Sequence, residues 1–182
     1  MSSEEDRAKF ESVVVPHLAD ALFVARWLTN DRADAEDVVQ EACLRAFRSI
    51  ETFAGGNARA WVLTIVRNAA YSWLAKNRNA TLVAVDDLGI KERVQAESGG
   101  ELAKSTAATP ETELIEKADA VRLEAAISAL PTEFREALVL RDMQGLEYRE
   151  IAEVTGTPVG TVMSRLARAR RRLIAAVGTD GP

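Results

Sequence analysis

A chain of 182 residues with 47% hydrophobic and 28% charged composition has room for one or two small domains and excludes a single large core. Its net charge of -5 conceals an uneven layout: acids outnumber bases from Met1 to Glu51, the charged residues from Thr52 to Ala80 are Arg59, Arg67, Lys76 and Arg78, and five arginines follow Thr161 before the next acid, Asp180. One cysteine, Cys43, and one histidine, His17, exclude an intramolecular disulfide and a cysteine-rich metal site and give no support to histidine-based catalysis or zinc binding, so no catalytic residue, metal or cofactor is expected.

The acidic opening MSSEEDRAKF has no apolar run long enough for a signal sequence or a membrane span, which predicts a cytoplasmic protein without membrane insertion. Helical periodicity runs throughout and no segment alternates strongly enough for a strand, so the expected fold is all-α. Phe10 to Leu28 places Val13 or Val14, Leu18, Ala21 or Leu22, Ala25 and Leu28 on one helix face, with a break near Pro16. His17, next to that proline, reads as structural or surface. Asp31 to Asp37 supplies a cap and an acidic first turn for a helix that reaches Ile50. On this helix Val39, Ala42 or Cys43, Ala46 and Ile50 face inward, which makes Cys43 a packing residue, whereas Asp37, Gln40, Glu41, Leu44 and Arg48 share another side. A leucine rimmed by polar groups is either part of a solvated face or the centre of a docking surface, and composition alone leaves both open. Gly55 and Gly56 break the chain. A helix from about Ala58 to Asn77 follows, with Val62, Ile65, Val66, Ala69 and Trp73 on its inner face.

From Thr81 to Lys117 the pattern fails. Asp86, Asp87, Gly89, Ser98, Gly99, Gly100 and the run STAATPETE read as a flexible acidic linker, which divides the chain into two small helical domains, 1–80 and 118–182, joined by 81–117. A helix resumes around Leu114 and runs through Val121, Ala125 and Ile127 to Leu130, where Pro131 ends it; the next starts at Thr132 and closes near Gly145. Thr155, Gly156 and Thr157 then make a turn between two helices, with positive φ at Gly156, Thr157 as N-cap and Pro158 as the first residue of the second helix. In that helix Val159, Val162, Leu166, Ala169 and Leu173 point inward and leave Thr161, Ser164, Arg165, Arg168 and Arg172 outside. Guanidinium groups can pair with guanine edges or hold phosphates, and short hydroxyl side chains allow close approach, so this face suits a DNA major groove. A solvated helix with a basic end is the alternative. Ile151 and Ala152, placed to pack on the second helix, and the acid-free run of arginines favour a helix-turn-helix.

These residues resemble a known family. From Leu130 onward, LPTEFREALVLRDMQGLEYREIAEVTGTPVGTVMSRLARARRRL is similar to the C-terminal domain of bacterial extracytoplasmic-function sigma factors, in its leucine-proline opening and its PVGTV-x-SR-x-x-RAR helix. The resemblance implies that Thr161, Ser164, Arg165, Arg168 and Arg172 read the minus-thirty-five promoter element while the protein is docked on RNA polymerase. DAEDVVQEACLRAF resembles the region that grips the clamp helices of the largest polymerase subunit, which makes Asp37, Gln40, Glu41 and Leu44 the contact candidates. The helix after the glycines is similar to the segment that melts and reads the minus-ten element, with Trp61, Ile65 and Asn68 on its W-x-x-x-I-x-x-N pattern. There the loop from Thr52 to Ala58 would capture an unstacked base, with Asn57, Arg59, Arg67 and Asn68 offering polar groups and charge, and Trp61 either a stacking surface or plain core. Ser72 and Ala75 depart from the aspartate and arginine of many relatives, and Met163 stands where many have arginine. The family further implies RNA polymerase core enzyme, promoter DNA and an anti-sigma factor as partners, and control by stress or envelope signals. A freestanding helix-turn-helix regulator with a sensory or dimerisation domain is the competing expectation.

Overall fold

The computed structural model describes residues 3–84 and 109–178. Helix α1 (Ser3–Val13) leads through a 3-10 turn at Val15–His17, containing Pro16, into α2 (Leu18–Thr29), so the expected break is present. Asn30 closes α2 at φ 59, a left-handed conformation that asparagine tolerates, and Asp31 opens α3 (Arg32–Arg48) by accepting the Asp34 N–H on Oδ1 at 3.0 Å. A 3-10 turn at Ile50–Thr52 and the glycine loop lead to α4 (Ala58–Ala84).

The inward stripe of α3 is Ala35, Val38, Ala42 and Ala46, with Ile50 just beyond; Val39 and Cys43 are half-buried beside it. The alanines let α3 approach α2, whose own contact face carries Ala21 and Ala25, while Leu28, Ile50 and Leu63 fill the remaining volume. Burial pushes the Cys43 thiol above its ordinary range, as expected of a packing residue. Helix α4 buries Val62, Leu63, Val66, Ala69 and Ala70, with Ile65 and Trp73 only partly covered. Leu63 and Ala70 lie outside the expected inner face because α4 has a second buried side, against the other half of the chain.

That half consists of α5 (Pro110–Ser128), α6 (Thr132–Leu138), a π-helical turn at Val139–Met143, α7 (Tyr148–Thr155) and α8 (Val159–Val177). Helices enter both ends of the expected linker. The segment from Pro110 strings Glu, Leu and Lys behind a proline at the helix start, where its missing N–H costs nothing, and is helical for that reason. The remainder of the linker, 85–108, lies outside the described residues. Val121 is exposed; α5 buries only Ile127 among its apolar residues.

Two cores result. The larger joins α2, α3 and α4 to Val139, Leu140, Leu146, Ile151, Val154 and Val162; the smaller gathers Ile127, Leu130, Ala137, Leu138, Leu166 and Ala169. Trp27 of α2 packs against both. Among the described residues no helix is long and apolar enough to cross a membrane.

Candidate nucleic-acid and docking surfaces

On α3 the turn spacing of Asp37, Gln40, Glu41, Leu44 and Arg48 puts all five on one exposed side. Leu44 is 54% exposed and Phe47, not singled out from the sequence, 43%. Phe47 stands edge-on to Phe10 at 5.6 Å, which fixes its ring while leaving it accessible. Arg45 Nε donates to Glu41 Oε1 at 2.8 Å, and this bond holds the Glu41 carboxyl below its ordinary range. An apolar pair rimmed by charges is a common arrangement at protein interfaces.

The glycine loop and the start of α4 form an open depression of about 350 Å³ lined by Thr52, Phe53, Gly55, Asn57, Trp61 and Thr64, among others. Asn57 caps α4 by accepting the Ala60 N–H on Oδ1 at 3.0 Å. Trp61 is half-buried, its ring 5.2 Å from that of Phe53, so it serves both as packing and as a wall of the depression. Asn57, Trp61, Thr64 and Asn68 recur at helical spacing and make one stripe, with Asn68 exposed at its far end.

Arg59 and Arg67 lie on the neighbouring side of α4 and turn toward the second half. Arg59 donates from Nε to Asp20 Oδ2 (2.7 Å) and from Nη2 to the Gln144 carbonyl (3.0 Å) and Oε1 (2.7 Å). Arg67 Nε donates to Glu136 Oε1 at 2.7 Å, its guanidinium lies 4.0 Å from the Tyr71 ring centroid, and the Tyr71 hydroxyl donates to Glu136 Oε2 at 3.0 Å. Glu136 is only 1% exposed. Burial pushes its carboxyl upward, opposed by the hydrogen bonds from Arg67 and Tyr71; burial and the Glu136 charge likewise raise the Tyr71 phenol. Asn57 Nδ2 donates to Glu150 Oε1 at 2.6 Å. Sequence reasoning missed Glu136, Tyr71, Gln144 and Glu150; an acid inside the apolar run FREALVL was the one available signal.

In the second half, Gly156 takes φ 65 and its N–H closes α7 on the Ala152 carbonyl, as the turn requires. The cap of α8 differs from expectation by one residue. Pro158 is the N-cap, with φ -59 and ψ 149, and its carbonyl accepts the N–H groups of Thr161 and Val162; Thr157 spends its hydroxyl on Thr155 at 2.8 Å. Val159 is accordingly exposed, while Val162, Leu166 and Ala169 are buried and Leu173 packs on the smaller core.

On the outer side Ser164, Arg168 and Arg172 are exposed and Thr161 half-exposed. Arg165 has a side chain 18% exposed and an ion pair with Glu133 at 3.2 Å, so it is less available than its spacing suggests. Arg172 lies over the Phe134 ring at 5.1 Å. Arg170 forks onto Asp142 at 3.1 and 2.6 Å, which leaves exposed Arg171, also missed from the sequence, beside Arg168 and Arg172.

Residues 13–80 match the family described as sigma-70 region 2, and residues 120–173 the one described as sigma-70, region 4. The chain is 34% identical over 171 residues to the ECF RNA polymerase sigma-E factor of Escherichia coli strain K12, covering 92% of this chain and 86% of that protein. It is 31% identical over 164 residues to the ECF RNA polymerase sigma factor SigE of Mycolicibacterium smegmatis, covering 90% of this chain and 60% of that one. Among solved structures it is similar to the sigma factor RpoE of Bartonella quintana, crystallised in complex with the anti-sigma factor NepR, with a TM-score of 0.70 and 26% identity over 94% of this chain and 98% of that one.

Proposed function

The chain belongs to the sigma-70 family as an extracytoplasmic-function sigma factor, a protein of promoter-specific transcription initiation, and from that premise we propose how its surfaces divide the work. Residues 1–80 dock on core polymerase and read and melt the minus-ten element; 81–117 connect them to 118–182, which reads the minus-thirty-five element. Asp37, Gln40, Glu41 and Leu44, extended by Phe47, meet the polymerase. Asn57, Arg59, Trp61, Arg67 and Asn68 meet the melted strand, and Thr161, Ser164, Arg165, Arg168 and Arg172 the upstream duplex. The polymerase supplies all covalent chemistry, and the protein works in the cytoplasm.

One observation supports this division: α4 and α8 carry surfaces of different chemistry. The first has an aromatic-walled depression that suits an unstacked base, the second an arginine-rich outer side that suits a groove and its phosphates. The anti-sigma partner of the similar Bartonella protein supports the same kind of partner here, released under stress or envelope signals.

The test is transcription in vitro with core enzyme, the start sites being sequenced. Leu44→Asp should leave helicity intact and weaken association with core by about 2 kcal/mol, because a charge would replace the apolar centre of the contact. Asn57→Ala and Asn68→Ala should impair open-complex formation, and a pre-melted promoter should restore part of it. Tight specific binding by the isolated chain, indifferent to core enzyme, would instead establish a freestanding regulator.

A further inference from the structure

The arginines of α8 do not sit where a recognition helix reads bases. In a helix-turn-helix it is the N-terminal part of the second helix that reaches base edges in the major groove. Arg168, Arg170, Arg171 and Arg172 all come from the third turn onward, and Arg165, the one arginine of the first two turns, is mostly covered and paired with Glu133. Base reading by those first turns falls to other side chains.

Opposite the buried Val162, Leu166 and Ala169, the residues Gly160, Met163, Ser164 and Ala167 recur at spacings of three and four and form one continuous exposed patch. Met163, 51% exposed, is the one long side chain in it, and exposed Val159 borders it one turn earlier. Ser164 donates its hydroxyl proton to the Thr161 carbonyl at 3.0 Å, so outward it offers an acceptor. Gly160 lies within the helix at no positive φ, and a Cβ there would meet nothing within 4 Å. Among the described residues, then, neither conformation nor packing calls for a glycine, which is a poorer helix former than alanine. Its missing side chain leaves room for a close approach from outside.

A lone exposed methionine is ordinary on a protein surface. This one is centred on a small-residue patch beside a run of arginines, on a helix without an acid, so the charge selects a polyanion as the partner. Within a major groove, the feature that an apolar side chain can distinguish is the 5-methyl group of thymine. We propose that Met163 is a specificity-determining residue that lays its side chain against the methyl group of a thymine in the minus-thirty-five element, with Val159 and Ala167 beside it and Gly160 admitting the base edge. The inference rests on the assignment of α8 to the upstream duplex. An arginine at this position would select guanine, whereas methionine moves the preference to an A·T pair.

The experiment uses holoenzyme assembled from the full chain and core enzyme, on a promoter found by start-site sequencing. Each thymine of its minus-thirty-five element, on either strand, is replaced in turn by deoxyuridine, which keeps every pairing group and lacks only the methyl. One replacement should weaken binding by the parent about fourfold, the worth of one buried methyl group, and should leave Met163→Ala unaffected. Met163→Arg should prefer a G·C pair at that same position by about tenfold. Gly160→Ala should preserve or raise the stability of the free protein and yet weaken promoter binding at least about fivefold, a split that a purely structural role would not give. Circular dichroism checks that these exposed-face variants fold. If no thymine methyl matters to the parent, or the deoxyuridine effect is as large in Met163→Ala, the contact is overturned; Gly160→Ala binding as tightly as the parent overturns the close approach it needs. A separate arm isolates the premise without any methyl: if neither Arg168→Ala nor scrambling the whole element alters holoenzyme binding, the placement of α8 on the upstream duplex fails.

Discussion

Arg165 and Arg168 stand one turn apart on α8 yet differ in what surrounds them. Arg168 is exposed, whereas Arg165 is mostly covered and paired with Glu133 of α6. Both helices belong to the same half, so in the role proposed for Arg165 this pair would compete with DNA for it. Arg168→Ala should therefore cost about 1–3 kcal/mol at a directly read base, or act equally on all sequences if it holds phosphate. Glu133→Ala should strengthen upstream-duplex binding by the holoenzyme by up to about 1 kcal/mol, the worth of a partly exposed pair, and the gain should vanish in an Arg165→Ala background. Fluorescence anisotropy on point-substituted promoters reads both. At this scale the sequence was informative about direction and silent about pairing. Periodicity turned Val162, Leu166 and Ala169 inward correctly, but nothing local to α8 shows that Arg165 meets Glu133 or that Arg170 meets Asp142, because those acids sit on other elements.

The turn between α7 and α8 depends on backbone conformation more than on contacts. A Cβ added at Gly156 would meet nothing within 4 Å, so the penalty for Gly156→Ala is the left-handed φ of 65 alone, about 1–2 kcal/mol by denaturant unfolding. Gly156→Asn should cost less, since asparagine already occupies such a conformation at Asn30. This turn was legible because a glycine between two helical periods has few other readings. Other features of the elements were not. FREALVLRDM reads as unbroken helix, yet the chain widens to a π-turn in which the Gln144 N–H reaches the Val139 carbonyl at 3.0 Å. On α4 a single inner face was expected, and the burial of Leu63 and Ala70 on a second side was not, because no pattern within α4 encodes where the other helices lie.

Trp27 joins the two cores, so the molecule should unfold as one unit. Calorimetry should give a single transition for the parent; Trp27→Ala should lower its stability by about 3 kcal/mol and split the transition in two, each core keeping its own residues while losing the shared one. The helical class and the two family regions were readable from composition and motif. How the halves sit was not, since Glu136 lies 69 residues from Arg67 and 65 from Tyr71, and a lone acid in an apolar run does not name its partner. The outer face of α3 has a different consequence. Leu44 and Phe47 remain bare while Arg59 and Arg67 of α4 are engaged by Gln144 and Glu136. If the α3 face docks as proposed, the enzyme can be met while those arginines are still engaged.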